Sequence, residues 1–583
     1  MKVRLSLLSL VVTASFLFAS ATPFIEHISD DSNIGANTQK DFAGYIPIST
    51  PQELAKIGRD IAYPVSGKYY LVNDIVFGNT DANEGADIHL KATMSGGDLT
   101  LLITPPGGAI STLTAWIDTI QAVNLNSNTV KVSSAPSGIY TLTVAGQYSY
   151  GGFVHSMQID TRTDGVKVDK TFRNNGNFDP IGYNGIYSYS PFTGTFDGNG
   201  KKIIGMDVAL FHSTSEYQYG GLFARTNGAE VLDLGIEGGS VTVAAARYPY
   251  ASHRTYAGGI VGYAESTTIT NCYNTNMVVA ATSSLSASAG GIAGYTSSTT
   301  ITSCYNVGSI VAMSERYPLT GGIVGSVMST TVAQCYNVGS VVAAIPGQNL
   351  ASAGGIVGYE SSSLVEITDC YNMGSVSAKT PSTGATHAGG ILGTGQMRIS
   401  NCYNTGYVEA TSSLGANTEG ITGAFVGGIV ASGPVGSIIV TNCYFLEGHM
   451  KINGLQVTDK IDHRGYATVD GNNNTPRPAA QESGAKSAFE LKPSLPDAVH
   501  SDASAYYTGI TSVQGILVEG WDFEKTWTID EKINNGYPTL RSILWTQHTT
   551  DPDPDGFPTM IVAIVGIVIV ATGGGLFFFM RKR

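Results

Sequence analysis

The stretch GGIVGY at residues 258–263, followed by TITNCYNT at residues 268–275, decides the fold because its pattern recurs along the chain. Each recurrence contains one of the six cysteines, which are spaced 32, 31, 35, 32 and 41 residues apart. They are Cys272, Cys304, Cys335, Cys370, Cys402 and Cys443. Self-similarity at such a period is typical of a repeat protein, in which one unit cannot bury its apolar face alone and neighbouring units must stack.

The apolar pieces within each repeat are short and β-branched, as in Ile260-Val261, Ile269 and Val278-Val279. They are bounded by Gly, Asn and Ser, and the repeats lack the longer 3.6-residue periodicity of helices. This pattern predicts about three strands per repeat, with a corner after each strand. Stacking such units in register predicts an all-β fold, a right-handed parallel β-helix solenoid.

Two recurring features mark the corners. Paired glycines, beginning with Gly258-Gly259, indicate either a backbone position with positive φ or a close approach of two coils. The asparagine after each Cys-Tyr, Asn274 in the first repeat, suits a left-handed corner and a stacked amide ladder. Ile269 and Cys272 are three residues apart, so both can face inward only if a bend lies between them.

The cysteines are predicted to form a ladder of buried, reduced thiols. Equivalent positions in stacked strands lie about 4.8 Å apart and point the same way. A disulfide needs Cβ atoms about 3.8 Å apart whose bonds point toward each other. The even cysteine count in an exported chain leaves disulfides as the alternative. Since Cys-x-x-Cys and paired histidines are missing from the sequence, no metal site and no cofactor is predicted.

The repeat resembles the GLUG repeat of adhesin-like bacterial and archaeal surface proteins, with six copies between about residues 255 and 448. Upstream, the segments 67–75, 178–182 and 192–200 are similar to the first coils of pectin-lyase-like β-helices. Downstream, 520–540 resembles the segment that closes GLUG arrays. The resemblance implies a surface β-helix, and it implies no reaction because the repeat carries no motif of catalytic residues.

Both ends of the chain predict its location. Residues 1–21 contain Lys2 and Arg4, an apolar run and a small-residue cleavage site, which is typical of a secretory signal; an uncleaved anchor is the alternative. Residues 559–580 carry no charge over 22 residues, enough for a transmembrane helix. The three bases at 581–583 then predict a cytoplasmic tail, with a processed sorting signal as the alternative. We therefore expect a single-pass cell-surface protein with an exported N-terminal ectodomain.

A capping box is recognisable at the start of the mature chain, in TPQE at residues 50–53. It predicts a short helix to about Asp60. The apolar Leu54, Ile57 and Ile61 of this segment would cover the open end of the solenoid, which otherwise exposes unpaired backbone.

Composition and motifs divide the chain into nine segments. They are a signal peptide at 1–21, an N-terminal cap and first coil at 22–79, an inserted small β-sandwich-like domain at 80–170, Cys-less coils at 171–256, GLUG-like coils at 257–448, a loop with short capping helix and C-terminal cap at 449–545, an acidic proline-rich linker at 546–558, the transmembrane helix at 559–580, and the tail at 581–583. The C-terminal cap contains Trp521, Trp527 and Trp545, and the preceding loop contains the sequon at Asn473.

The formal net charge is −13, and five of the bases lie in the signal and the tail. The rest of the chain therefore carries 27 Lys and Arg against 45 Asp and Glu. An acidic exterior of this kind argues against nucleic acid or an anionic membrane surface as partner.

The predicted binding surface consists of the segments that join one repeat to the next glycine pair, 282–289, 313–320, 345–353 and 379–388. They are expected to project as loops from one edge of the stack. The candidate ligand-contact residues are aromatic and basic: Arg247, Tyr248, Tyr250, Arg254, Tyr256, Arg316 and Tyr317. Solvated loops with incidental tyrosines are the alternative.

These observations predict an adhesin-like surface protein that binds extracellular glycans or neighbouring surface proteins, and no enzyme. A membrane-tethered polysaccharide lyase or hydrolase and a purely structural cell-envelope component are the alternatives. Catalysis on polysaccharides needs clustered carboxylates or a positioned base, which in a solenoid should recur at one-coil spacing. The repeats show no such recurrence. Asp179 and Asp197 are a possible pair, but Asp197 lies in the turn-like sequence FDGNG.

Overall fold

The computed structural model describes residues 40–541 with internal gaps. The gaps are 79–86, 106–109, 118–119, 136, 149–150, 174–175, 184–188, 213–216, 246–252, 283–284, 346, 362–364, 414–422, 434–438, 442, 447–448, 457–465, 468–483, 487–521, 523–524 and 529–537. The predicted signal peptide and transmembrane helix lie outside the described residues. Within the described part, no helix is long and apolar enough to cross a membrane.

The chain winds into a parallel β-solenoid whose coils pass in turn through four sheets, which we call sheets I to IV. Sheet I contains Ile46–Ile48, Lys68–Leu71, Ile75–Val76, Thr195–Ile204, Glu230–Glu237, Thr268–Thr270, Tyr273–Asn274, Thr300–Thr302, Tyr305–Asn306, Thr331–Ala333, Tyr336–Asn337, Val365–Thr368, Tyr371–Asn372, Met397–Ser400, Tyr403–Asn404, Ile439–Thr441, Tyr444–Leu446 and Gly484–Lys486. Sheet II contains Asp207–His212, Ser240–Ala245, Met277–Thr282, Ile310–Ser314, Val341–Ala344, Val376–Lys379, Val408–Thr411, Met450–Ile452 and Leu455–Gln456.

Sheets III and IV follow each other within a coil, joined by the paired glycines. Sheet III contains Tyr217–Gly220, Arg254–Gly258, Ser286–Gly290, Tyr317–Gly321, Leu350–Gly354, Ala385–Gly389, Ala424–Gly427 and Tyr466–Ala467. Sheet IV contains Phe223–Asn227, Val261–Glu265, Ala293–Ser297, Val324–Met328, Val357–Glu360, Leu392–Thr394 and Val430–Ser432. The predicted parallel β-solenoid is thus confirmed.

Equivalent repeat positions stack in register, so that Ile269 pairs with Ile301 and Tyr273 with Tyr305. Ile269 and Cys272 both face the apolar interior. The bend predicted between them is confirmed at Asn271, whose φ of 55° is left-handed. The equivalent residues before the next four cysteines have the same conformation: Ser303, Gln334, Asp369 and Asn401.

The asparagines after Cys-Tyr form the predicted amide ladder inside the solenoid. Asn274 donates from Nδ2 to Oδ1 of Asn306 at 2.9 Å, and Asn306 donates in the same way to Asn337 at 2.8 Å. These side chains are fully buried, so the ladder satisfies groups that would otherwise be costly to bury. The expectation that they adopt a left-handed corner is wrong: they lie in strands of sheet I, and the residue before the cysteine takes the left-handed conformation.

The paired glycines are required by close packing against neighbouring residues, and not by a positive φ. A Cβ on Gly259 would collide with the side-chain amide of Asn274, and no φ in the left-handed region is found at Gly258 or Gly259. The third glycine of the motif is crowded on the outside. At Gly325, a Cβ would lie 2.5 Å from Oγ of Ser288 and 2.7 Å from the backbone nitrogen of Ala289.

The six cysteines are free and buried, in agreement with the predicted thiol ladder. The backbone N–H of Cys272 donates to Sγ of Cys304 at 3.4 Å, and the Cys272 thiol donates to the carbonyl of Thr270 at 3.2 Å. The same bonds recur at Cys304 and Cys335. Burial, which disfavours a thiolate, holds the pKa of Cys272 and of Cys335 well above the ordinary thiol value.

One short helix, Pro51–Lys56, covers the start of the solenoid. Its capping box is confirmed: Oγ1 of Thr50 accepts from the N–H of Glu53, while the Glu53 carboxylate accepts from the N–H of Ser49 at 2.7 Å. Leu54 and Ile57 are buried in the core as predicted. Ile61 is 99% exposed, so its predicted role in the cap is wrong; the helix ends at Lys56 and does not carry Ile61 inward.

Between the first coils, residues 87–173 form two antiparallel sheets that share one apolar core. One sheet contains Gly151–Asp160, Ile139–Tyr148, Ile110–Ile117 and Ile120–Gln121, and the other contains Gly165–Arg173, Asp87–Ser95, Asp98–Thr104, Thr129–Val132 and Val123–Asn126. Ala145 and Val154 pack against Phe211, Ala244 and other outward side chains of sheet II. The insertion therefore covers the outer face of sheet II over its first coils.

The described C-terminal residues lie against the outer face of sheet I. Trp527–Thr528 pairs with Thr539–Leu540, and Trp527 is fully buried on the stacked rings of Tyr371 and Tyr403. The predicted cap residues Trp521 and Trp545 lie outside the described residues. At the end of the stack, Leu455–Gln456 pairs antiparallel with the last parallel strand of sheet II, and Tyr466–Ala467 pairs antiparallel with that of sheet III. These short strands cover sheet edges to which the strands of another molecule could otherwise bind.

Candidate functional site

The outer faces of sheets I and II are covered by other parts of the chain, whereas those of sheets III and IV meet each other. The inserted sheets pack on sheet II, and Trp527 and Leu540 pack on the stacked tyrosine rings of sheet I, which run from Tyr273 to Tyr403. Where the outer faces of sheets III and IV meet, Oγ of Ser288 on sheet III donates to the carbonyl of Gly294 on sheet IV at 2.8 Å. Two sheets whose outward groups meet in this way form a corner that is concave to the outside.

Tyrosines fill this corner over its first coils. The rings of Tyr263 and Tyr295 stack at 4.8 Å between centroids with an interplanar angle of 20°. Tyr256 contacts both rings edge-on, at 6.0 Å and 5.6 Å. Tyr219 stacks on Tyr256 at 5.5 Å. We call the outward residues Tyr217, Tyr219, Arg225, Arg254, Tyr256, Tyr263, Tyr295, Arg316 and Tyr317 the tyrosine corner.

The rim of the corner is a row of aligned residues at the start of consecutive sheet III strands. Tyr217 pairs with Arg254, Arg254 with Ser286, and Ser286 with Tyr317. Tyr217 and Tyr317 are each 39% exposed, whereas Tyr219 and Tyr256 at the base are 7% exposed. The strand spacing of about 4.8 Å places the two exposed rings about 14 Å apart along the solenoid axis.

Two arginines lie among these rings. The Arg225 guanidinium is 5.4 Å from the ring centroid of Tyr219 and 5.0 Å from that of Tyr263, while Arg254 is 5.8 Å from that of Tyr217. Arg225 also faces Glu265 at 3.8 Å. Such cation–π contacts favour flat, fixed guanidinium groups.

The hydroxyls of Tyr256, Tyr263 and Tyr295 stay protonated at neutral pH. Burial raises the pKa of Tyr256 to about 12, although the hydrogen bond and the charge of Arg254 act in the opposite direction. Burial likewise raises the pKa of Tyr263 and of Tyr295. The corner therefore presents neutral phenols, which can donate and accept hydrogen bonds, beside permanently charged guanidinium groups.

The predicted ligand-contact residues are only partly brought together. Arg254 and Tyr317 lie in the rim row, and Arg316 is exposed next to Tyr317. Tyr256 lies at the base of the corner and is nearly buried. Arg247, Tyr248 and Tyr250 lie outside the described residues.

The expectation that the inter-repeat segments are projecting loops is wrong for 282–289 and 313–320. Most of these two segments lies in the end of a sheet II strand or the start of a sheet III strand, as Met313–Thr320 shows: only Glu315 and Arg316 connect the two strands. In 345–353 and 379–388 the sheet III strands begin only at Leu350 and Ala385, so five residues before each of them connect the strands. Their alternating Ala, Ser and Thr residues have small side chains that fit the core and the tight corner, although such a composition is also typical of loops. Deleting these segments would therefore remove strands.

Sequence reasoning missed Tyr219, Arg225, Tyr263 and Tyr295. The signal was present, since Tyr263 and Tyr295 both follow the third glycine of the repeat, and Tyr359 recurs at that position. The sequence alone does not reveal that this position faces outward, because the strand is too short to show alternation.

The described carboxylates considered for catalysis have structural partners. Asp197 contacts Nζ of Lys40 at 2.8 Å, and the same ammonium group contacts Asp233. Asp179 lies beside Arg59, whose guanidinium donates to the carbonyl groups of Asp179 and Pro180. In the part of the chain that the structure describes, no three His, Cys, Asp or Glu side chains are grouped so as to hold a metal ion.

The chain is similar to one protein-family model and to a solved structure. The family model described as "The GLUG motif" matches residues 253–279, which make one coil through sheets III, IV and I to the start of sheet II. No curated protein matches the chain. Among solved structures, the chain is similar to the crystal structure of "a putative immunoglobulin A1 protease from Bacteroides ovatus", with 19% identity over 64% of this chain and 82% of that one and a TM-score of 0.35.

Proposed function

We propose that this chain, a β-solenoid with a match to the GLUG motif, is an adhesin-like protein that binds glycans through the tyrosine corner. The observation that carries the proposal is the rim row. Its residues Tyr217, Arg254 and Tyr317 are aligned and exposed, and the nearly buried Tyr219 and Tyr256 lie beneath them. Exposed aromatic rings fixed by neighbouring rings lose little entropy when a ligand covers them, and tyrosine and arginine dominate binding surfaces.

The geometry of the corner favours an extended ligand. The exposed rings are separated by three coils, and the strand row between them runs parallel to the solenoid axis. A linear chain lying along this axis would contact both rings, whereas a single sugar ring would reach only one. We therefore propose a polysaccharide or long oligosaccharide as the ligand, in preference to a protein.

The cellular setting of this function rests on the sequence of the termini. We propose that residues 1–21 direct export, that 559–580 anchor the protein in the membrane, and that the inserted sheets form a small sandwich on sheet II. Protease treatment of intact cells should then remove the solenoid and leave a short membrane-bound fragment. Full protection of the chain in intact cells would contradict surface exposure.

A glycan array with the full-length protein, followed by titration of the bound glycan, tests the ligand class. The Tyr217→Ala and Tyr317→Ala variants should each weaken glycan binding about tenfold, the typical loss for a central aromatic contact. Tyr407→Ala serves as the matched control, because this half-buried tyrosine stacks on His449 away from the corner. Binding to no glycan, or binding that both corner variants leave intact, would overturn the proposal, and capture of a surface protein by the same residues would assign the corner to proteins.

A further inference from the structure

The arginines of the tyrosine corner lack the close carboxylate partners that some other bases of this protein have. Among the described residues, Lys131 meets Asp98 at 2.7 Å and Lys202 meets Glu237 at 2.9 Å. At the corner, Arg225 reaches Glu265 only at 3.8 Å, and the described part of the chain provides no ion pair for Arg254 or Arg316.

Arg254 and Arg316 are both exposed, and Arg254 is also held by a ring contact. Arg254 starts a strand of sheet III and is held over the ring of Tyr217, and Arg316 directly precedes Tyr317 two strands further along the same sheet. The spacing between strands places the strand of Arg254 and the strand that follows Arg316 about 10 Å apart along the axis. A planar guanidinium offers paired donors that match a carboxylate.

We propose that the tyrosine corner binds an acidic polysaccharide, with its carboxylates on Arg254 and Arg316 and its sugar rings against Tyr217 and Tyr317. This inference rests on the proposed function and adds the charge of the ligand to it. The neutral tyrosine hydroxyls supply hydrogen bonds to sugar hydroxyls between the charged positions.

The test compares two ligands that differ only in charge. The probes are an oligosaccharide of alternating glucuronate and N-acetylglucosamine and its carboxyl-reduced, neutral form, each titrated against the full-length protein. Hydrogen bonds to charged groups predict roughly ten- to hundredfold tighter binding of the acidic form. Raising the ionic strength should narrow this difference, because salt screens exposed charges.

Variants assign the preference to individual residues. Arg254→Gln and Arg316→Gln should each reduce the acid-to-neutral affinity ratio about tenfold, and Arg254→Lys should retain part of it. Arg398→Gln is the matched control, since Arg398 is exposed on sheet I, away from the corner. Unchanged circular dichroism in all four variants shows that the fold is intact.

Each remaining outcome has a distinct meaning. Equal binding of the acidic and neutral forms, with no effect of Arg254→Gln, would overturn the charge preference and leave glycan binding standing. Binding of neither form, together with an empty glycan array, would overturn the proposed function and this inference with it. Equal binding of a polyglutamate peptide would show that the corner recognises charge without sugar, which also overturns the proposal.

Discussion

The side-chain amide of Asn306 donates a hydrogen bond of 2.8 Å to Oδ1 of Asn337, its equivalent one coil further along the solenoid. In the same way, Nδ2 of Asn337 donates to Oδ1 of Asn372, and Nδ2 of Asn372 donates to Oδ1 of Asn404. In the next coil Phe445 takes this position and packs against Gly428, so an apolar ring ends the ladder. The amide ladder thus ties the polar interior of one coil to the next in a fixed register.

Removing one amide should therefore destabilise the solenoid. Asn337→Ala leaves the carbonyl groups of Gly339 and of the Asn372 side chain without their donor, inside a dry core. We expect a loss of roughly 2–4 kcal/mol in the free energy of unfolding, from unsatisfied groups and a cavity. Denaturant unfolding measures it, with the exposed Asn349→Ala as control, expected within about 0.5 kcal/mol of the unsubstituted protein. Equal stability of the two variants would contradict the role of the ladder.

The thiol ladder predicts the reactivity of the cysteines. All six thiols are buried at 1% exposure or less, so none should react with a thiol reagent in the native protein. In guanidinium, six thiols per chain should react, because no cysteine is in a disulfide. Counting fewer than six under denaturing conditions, without prior reduction, would show that the ladder contains disulfides.

Alkaline pH should destabilise the protein. Burial raises the folded-state pKa of Cys335, and it raises that of Tyr256 to about 12, above unfolded values of about 8.5 for cysteine and about 10 for tyrosine. The unfolded state therefore loses its protons first as the pH rises. Stability should be constant up to about pH 8 and should fall from there toward pH 12. Denaturation midpoints across this range, with tyrosine ionisation followed by absorbance, provide the test; a constant midpoint up to about pH 11 would contradict it.

Trp527 should hold the C-terminal segment on sheet I. Its ring lies 6.1 Å from the centroids of Tyr371 and Tyr403, and its Nε1 donates to Asp369 at 3.0 Å. Trp527→Ala should cost about 3–5 kcal/mol of docking free energy, enough to release the segment. We expect faster proteolysis at the C-terminal side of the solenoid with unchanged β-sheet circular dichroism.

A conservative substitution separates the contributions of Trp527. Trp527→Phe retains an apolar ring and loses the hydrogen bond to Asp369, so it should give an intermediate cleavage rate. Identical cleavage of the original protein and both variants would mean that other contacts hold the segment.

The sequence by itself determined the elements that depend on local chemistry and on repetition. Recurring Cys-Tyr-Asn positions required a stack in register, from which the buried thiols and the amide ladder followed, and the capping box at Thr50 specified a helix start. These features are predictable because equivalent residues in identical coils must meet one another.

Only the tertiary structure decided where the outward residues meet. Arg225 and Tyr263 are 38 positions apart in the sequence, and they touch because their strands pair in sheet IV. Sheets III and IV form a concave corner because Gly325 and its equivalents let the backbones approach closely. The angle between two packed sheets depends on the side chains of several coils at once, so it is absent from any single repeat, and the binding corner depends on that angle.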